Sequence, residues 1–223
     1  MPIYYKMNGW KINLPKTVAN VPIYYGKHGE DKFLDSMFGE KTHGVCVEVG
    51  AYDGVSSSNT YHFEKKGWNA LCIEPIQSAY DKCRQVRKNT YQCCVGKEDK
   101  DDVEFHIFHL NENLCAISSL EPDGRLIESH RHLLTNQTTC KTKIRTLNTL
   151  FAELDFPTDI DFISIYTENT ELDVLKGIDL KKYKVKVLLI ENNFDEPFCA
   201  DYLRPYGYSR IHRIAVNDFF IVG

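Results

Sequence analysis

The chain of 223 residues has no apolar run near the roughly 20 residues that a membrane-spanning helix needs. Its longest, such as Val185 to Ile190, are strand-sized. The opening Met-Pro-Ile-Tyr-Tyr-Lys lacks the charged-then-apolar pattern of an export signal. A basic excess is also missing: 27 Lys and Arg stand against 31 Asp and Glu, a net charge of −4 with histidine neutral. That balance argues against a nucleic-acid binder working through bulk charge. Eight cysteines form no Cys-x-x-Cys, so neither a zinc ribbon nor a dithiol redox motif is supported. Cys46, Cys72, Cys93 and Cys94 lie in apolar runs, which reads as reduced, buried thiols of a cytoplasmic protein. No repeat, low-complexity tract or Gly/Ser/Pro linker divides the chain. Its 43% hydrophobic and 26% charged residues exclude a disordered tail.

What is there alternates strands with helices. Residues 1–30, with Pro2, Pro15 and Pro22, predict an extended arm packed on one domain of residues 31–223. Phe33, Leu34, Met37 and Phe38 predict a short amphipathic helix. Val45 to Val49 reads as a buried strand ending in Gly50-Ala-Tyr-Asp-Gly54, and Ser56 to Asn59 as cap chemistry for a helix over 60–66. Asn69 to Ile73 is a second strand, Ala79 to Val86 a helix, Tyr91 to Val95 a third strand and Val103 to Phe108 an additional one. Residues 111–141 are polar and read as a loop-like insertion, with Ser118-Ser119-Leu120 and Arg125 to Leu134 as candidate short structure. Then come a helix over 147–154, a strand over 162–166, a helix over 172–176 closed by Gly177, a strand over 185–191 and a helix over 197–205. A final strand pair covers 207–211 and 219–222. The alternation implies an α/β, doubly wound, Rossmann-like sheet with helices on both faces.

Open α/β sheets bind ligands at the carboxyl ends of their strands. The first strand ends in Glu48 and a glycine turn, where the backbone can pass close to a ligand. Glu74 closes the second strand, and a carboxylate there can accept both hydroxyls of a ribose. The glycine spacing is not the Gly-x-Gly-x-x-Gly of a dinucleotide site, so S-adenosylmethionine fits better than NAD. A plain strand-to-helix turn and a solvated strand end are the bland readings of the same residues.

Gly29-Glu-Asp-Lys-Phe-Leu34, Glu48-Val-Gly-Ala-Tyr-Asp-Gly54, Ser58-Asn-Thr60, Phe63-Glu-Lys65, Ile73-Glu-Pro75, Thr146-Leu147 and Glu171-Leu-Asp-Val-Leu-Lys-Gly177 together resemble the FkbM-type S-adenosylmethionine-dependent methyltransferases. Ile190-Glu191-x-Asn193 and Gly207-Tyr208 continue the likeness, which runs from about residue 26 to the C-terminus. The resemblance implies a class I methyltransferase fold, a mostly parallel seven-stranded sheet with an antiparallel final strand. It also implies methyl transfer to a hydroxyl of a sugar, glycan or small-molecule acceptor. Carried over by position, Glu48, Gly50, Asp53, Ser58, Asn59 and Glu74 line the cofactor, with Cys94 and Val95 near its adenine.

The family's fourth strand usually ends Asp-x-Glu-Gly, whereas this chain reads Tyr166-Thr-Glu168-Asn169. A divalent cation such as Mg²⁺ or Mn²⁺ wants several oxygen ligands. Glu168, Glu191 and Asn192 are the candidates, with one charge lost at Tyr166. Glu168 and Glu191 are the expected bases for the acceptor hydroxyl. A capping or Asn-binding role for Glu191 is the plain alternative. Tyr166 either donates to substrate or plugs the pocket; with Tyr166 in place of the family's Asp, an inactive cofactor-binding module or scaffold is the alternative reading of the protein. Asn193, His130 and His132 are candidate acceptor contacts, because the 111–141 insertion is expected to lie over the strand ends.

Overall fold

The computed structural model describes residues 5–7, 10–12, 22–111 and 117–223. Pro2 and Pro15 of the expected arm, and residues 112–116 of the expected insertion, lie outside them. In chain order the elements begin with β1 (Tyr5–Met7), β2 (Trp10–Ile12), α1 (Glu30–Phe38), β3 (Val45–Val49), α2 (Tyr61–Lys65), β4 (Asn69–Ile73), α3 (Gln77–Val86) and β5 (Asn89–Tyr91). There follow β6 (Cys94–Val95), β7 (Lys100–Leu110), α4 (Gly124–Ser129), β8 (Leu134–Arg145), α5 (Leu147–Glu153) and β9 (Asp159–Ile165). The chain ends with α6 (Glu171–Lys176), β10 (Lys184–Glu191), α7 (Phe198–Leu203), β11 (Tyr208–Ile214) and β12 (Asn217–Val222).

The main sheet has seven strands in the order β11-β12-β10-β9-β3-β4-β5. All neighbours from β10 to β5 run parallel, and β12 pairs antiparallel with both β10 and β11. This is the expected mostly parallel sheet with a reversed final strand. Chain order reverses between β3 and β9, which opens a crevice at their carboxyl ends.

Alternation along the central strands divides the core between the two faces. In β10, Leu188 and Ile190 join one cluster while Val187 and Leu189 join the other. The first cluster is covered by Leu147, Leu150 and Phe151 of α5 and by Val174 and Leu175 of α6. The second is covered by Leu34 of α1 and Phe63 of α2, whose ring lies 4.7 Å from Trp68 and 4.9 Å from Phe162. Burial on both faces explains why these strands read as apolar runs rather than alternations. The buried Asp161 inside β9 is satisfied by Lys41 at 2.6 Å, Lys186 at 2.7 Å and the Val45 N–H at 3.0 Å.

Two expectations are corrected. The predicted third strand over 91–95 is two strands in different sheets. β5 stays beside β4, while β6 pairs with the end of β8 in a three-stranded sheet ordered β6-β8-β7. Cys93 and Cys94 bury against different clusters, so the chain changes sheet between them. The polar stretch 111–141 is not merely a loop. From Leu134 onward it is a long strand, paired antiparallel with β7 across Leu110–Leu134 to Lys100–Ile144. Its exposed Thr135 to Thr139 make it polar, and its threonines are the β-branched signal that survives.

Gly177 does close α6, but with φ −87°, outside the left-handed region. Glycine is required there by space, since a Cβ would lie 2.2 Å from the Gly96 carbonyl oxygen.

Candidate active site

A cavity of about 330 Å³ opens at the carboxyl ends of β3, β4, β9 and β10. Glu48 to Tyr52 form its floor, Ile73 to Ile76 one side, and Tyr166 to Glu168 with Glu191 the other. Phe105, Ser118 and Leu120 wall it from the β7 side, and Lys27 stands at its edge.

Glu74 is buried at the end of β4, with Oε2 accepting from the Tyr52 N–H at 2.8 Å and Oε1 from the Ile76 N–H at 2.9 Å. Each oxygen keeps a further lone pair for the cavity. Burial pushes its carboxyl up to about 7, against the two N–H donors. Cys94 and Val95 also line the cavity, beside Ile76 and Phe105, and supply an apolar flank. Gly50 lies on the floor with φ +83°, where its missing side chain makes room for the Tyr166 carbonyl.

Glu48 reaches the cavity only with its edge, because its oxygens are spent inside the fold. Oε1 accepts from the Asn59 N–H, and Oε2 from the hydroxyls of Ser58 and Thr60, all at 2.6 Å. Ser58 in turn accepts from the Tyr61 N–H at 3.0 Å and so starts α2. Ser58 and Asn59 do not line the cavity, and neither does Asp53, whose carboxylate takes the N–H groups of Val55 and Ser56 and holds the turn. These four residues therefore shape the floor from behind.

On the other side, Glu168 and Glu191 line the cavity at the ends of β9 and β10. Burial pushes Glu168 up to about 7 against the Ile117 N–H that it accepts. Burial, together with Glu168 and Glu171, raises Glu191 well above the ordinary carboxylate range. Its Oε2 is buried without a hydrogen-bond partner. Asn193 stands beside Glu191 but does not line the cavity. Asn192 points elsewhere, donating to Glu196 O at 2.9 Å and to Asp218 Oδ2 at 2.8 Å. Glu168 and Asn169 have φ of +57° and +78°, a turn held by Glu171 Oε1, which accepts from the Thr167 and Asn169 N–H groups. Tyr166 lines the cavity, and burial followed by the charges of Glu30 and Glu191 raises its phenol well above 10.

His130 and His132 are not brought to the cavity. His130 ends α4, with Nδ1 3.0 Å from the Leu126 carbonyl, and His132 is exposed. Among the described residues no group of three or more His, Cys, Asp or Glu is placed to hold a metal ion.

Sequence reasoning missed two residues. Arg87, buried after α3, donates to Gly54 O at 2.8 Å, to Thr60 Oγ1 at 2.8 Å and to Glu64, and stands 3.5 Å from Glu48. Glu171 sits in a quoted motif, yet an acid in a first helical turn is usually read as a solvated charge.

A family model for the methyltransferase FkbM domain matches residues 48–210, well over half of the chain. No curated protein matches by sequence. Solved structures similar to this chain include the M. capricolum TrmK in complex with S-adenosyl-homocysteine, at 10% identity and TM-score 0.41, covering 86% of this chain and 65% of that one. The N-terminal domain of human METTL16 in complex with SAH is similar at 11% identity and TM-score 0.43, covering 85% and 66%. A precorrin-6y C5,15-methyltransferase from Geobacter metallireducens GS-15 is similar at 10% identity and TM-score 0.42, covering 92% and 91%. This chain thus spans slightly under two thirds of the first two. No helix among the described residues is long and apolar enough to cross a membrane.

Proposed function

The chain belongs to the FkbM methyltransferase domain family, and from that premise we propose that it moves a methyl group from S-adenosylmethionine to a hydroxyl of a sugar, glycan or small-molecule acceptor. The observation that carries this reading is the opposition, across one cavity, of a buried acid and two half-buried ones. Glu74 stands on β4, while Glu168 and Glu191 stand at the ends of β9 and β10. Two to three strand spacings separate them, about 10–14 Å, which is room for a nucleoside on one side and a reacting group on the other.

The residues fit such a cofactor. Glu74 has lone pairs for a ribose diol, Cys94, Val95, Ile76 and Phe105 offer an apolar slot for adenine, and Gly50 clears the floor. Bound, S-adenosylmethionine supplies an electrophilic methyl on a sulfonium. The chain must hold the acceptor oxygen in line and take its proton. Glu168 and Glu191 serve as the base, since both face the cavity and burial keeps their proton affinity high. Their shared burial also favours a neighbouring positive charge. The 117–120 segment, bridged to β7, brings Ser118 to the acceptor side and helps exclude water. The acceptor is neither nucleic acid nor membrane in this reading, and His130, His132 and Asn193 contact it only when it extends beyond the cavity.

A cofactor-binding module without turnover is the second reading, favoured by Tyr166. Its side chain lines the cavity yet packs against the Phe162 cluster, so the strand end carries a wall where a third carboxylate would stand. Calorimetric titration with S-adenosylmethionine and S-adenosylhomocysteine, on wild type and Glu74→Ala, tests the donor site. A sugar-acceptor screen then separates the two readings. Micromolar donor binding with turnover supports the first, and binding with no turnover on any acceptor supports the second. Absence of donor binding removes both.

A further inference from the structure

The first turn of α1 buries two consecutive acids, Glu30 and Asp31, each at 0% exposure. Neither makes an ion pair among the described residues, and the nearby His62 and Lys66 are paired with Asp35. Among the described residues their hydrogen-bond donors are neutral N–H groups. Glu30 accepts from the His28 N–H at 2.8 Å and from Asn217 Nδ2, and Asp31 from the Lys32 N–H at 2.9 Å and the Tyr25 N–H.

A third oxygen is aimed at the same place. Asn59 is 1% exposed, and its Nδ2 donates to Ser164 Oγ at 3.1 Å. Its Oδ1 therefore faces the other way, where it has no hydrogen-bond partner among the described residues. A methyl placed on Gly26 would lie 2.7 Å from Asp31 Oδ1, 2.9 Å from Asn59 Oδ1 and 3.0 Å from Glu30 Oε2. Three acceptor oxygens from two separate segments thus converge just beyond Gly26, with the Tyr166 phenol beside Asn59 and no ion pair to the two acids among the described residues. In a water-poor interior such a set repels itself unless a positive charge enters it.

We propose that Glu30, Asp31 and Asn59 form a binding site for one hard divalent cation, Ca²⁺ or Mg²⁺. Two carboxylates and an amide carbonyl are the oxygen ligands such ions take, with waters or backbone carbonyls completing the shell. The set contains only two acids, so it lies outside the clusters of three or more His, Cys, Asp or Glu considered above. It is also distinct from Glu168, Glu191 and Asn192. The cation ties three pieces of chain together: the Gly26 segment, whose next residue Lys27 edges the cavity; the start of α1; and the turn that carries Asn59 beside Tyr166. Its role is to clamp the N-terminal lip of the cavity onto the sheet, and it does not depend on the methyl-transfer reading.

The test uses the whole chain, stripped with EDTA and desalted. Thermal unfolding is followed as CaCl₂ or MgCl₂ is added, with NaCl at matched ionic strength as control. A saturable rise in Tm of about 5–10 °C at a hundredfold excess over Kd is expected for at least one of the two ions. Asn59→Asp keeps an oxygen ligand and adds charge, so the stripped variant should be less stable than wild type and rescued by the cation. Glu30→Gln should lose the response. Terbium luminescence sensitised by Tyr25 and Tyr166, and competed by CaCl₂, reads the site in wild type without any variant. No Tm shift beyond the NaCl control, with no competed terbium signal, would overturn the proposal. The Asn59 amide would then be rotated by half a turn, its Nδ2 donating to the two acids, and Asn59→Asp would stay destabilised at every cation concentration.

Discussion

Gly50 packs directly under the carbonyl of Tyr166: a Cβ at residue 50 would lie 2.0 Å from that oxygen. The contact joins the end of β3 to the end of β9 at the point where strand order reverses. Tyr166 also donates its N–H to Val49 O at 3.0 Å, so the oxygen cannot swing away without breaking the ladder. With φ at +83°, a side chain at residue 50 also meets a backbone conformation that L residues rarely adopt. Gly50→Ala is therefore expected to cost more than about 3 kcal/mol, read by urea unfolding. A loss under about 1 kcal/mol would show that the two strand ends separate easily.

In the proposed donor site, Glu74 is expected to link pH to ligand affinity. Burial lifts its carboxyl from 4.5 to about 7, so the folded, ligand-free chain holds the proton more tightly than the unfolded chain does. The stability this contributes is complete below about pH 4.5 and is lost as pH rises through about 7. Two ribose hydroxyls donating to Glu74 would favour the ionised form instead, so binding expels the proton. S-adenosylhomocysteine should bind more weakly as pH falls below about 7, by up to tenfold per unit, and level off above it. Calorimetry at pH 6 in two buffers of different ionisation enthalpy should detect proton release. Glu74→Ala should flatten the profile and weaken binding by about 1–3 kcal/mol. A flat wild-type profile would take Glu74 out of the nucleoside site.

Arg87 is the counter-charge to the acids behind the cavity floor. Its guanidinium donates to Glu64, Gly54 O and Thr60 and faces Glu48, all inside the fold. Arg87→Met would leave Glu48 and Glu64 buried without a cation, a loss of about 3–5 kcal/mol. Because Glu48 also fixes the Asn59 N–H and two hydroxyls, donor affinity should fall with stability. A variant with wild-type Tm would mean that the floor is held by the hydroxyl network alone.

The central strands and the helices that cover them were legible because their period and punctuation are local. Gly50, Glu74, Glu168 and Glu191 were legible as cavity residues for a related reason: position at a strand end decides what faces the crevice. Glu48 stands at such an end too, but whether an acid faces ligand or protein depends on its partners. Here those partners are Ser58, Thr60 and Arg87, up to 39 positions away. Arg87 follows Gln85 and Val86 in a charged run that looks solvated, and nothing local marks it as buried. Likewise β8 is polar because one of its faces meets solvent, so its pairing with β7 had no hydrophobic alternation to announce it.

With the proposed base among the acids at the far side of the cavity, those acids are expected to set the pH dependence of turnover. Glu168 is lifted to about 7 by burial, and Glu191 higher still by burial and by the charges of Glu168 and Glu171. A base must be deprotonated to act, so kcat should rise with pH through about 7 and above. Because the three glutamates titrate as one cluster, the apparent midpoint belongs to the group. Replacing the true base by Gln should lower kcat by about 10²- to 10⁴-fold and abolish that rising limb, while Kd for S-adenosylhomocysteine, held mainly at Glu74, changes little. Glu168→Gln and Glu191→Gln, compared in this way, show which carboxylate takes the proton. Glu171→Gln serves as the positioning control: it should shift the midpoint through the altered charge and the loosened 167–170 turn, yet keep the limb. If the limb survives in both Glu168→Gln and Glu191→Gln, neither alone is the base, and the proton leaves to another group or to water.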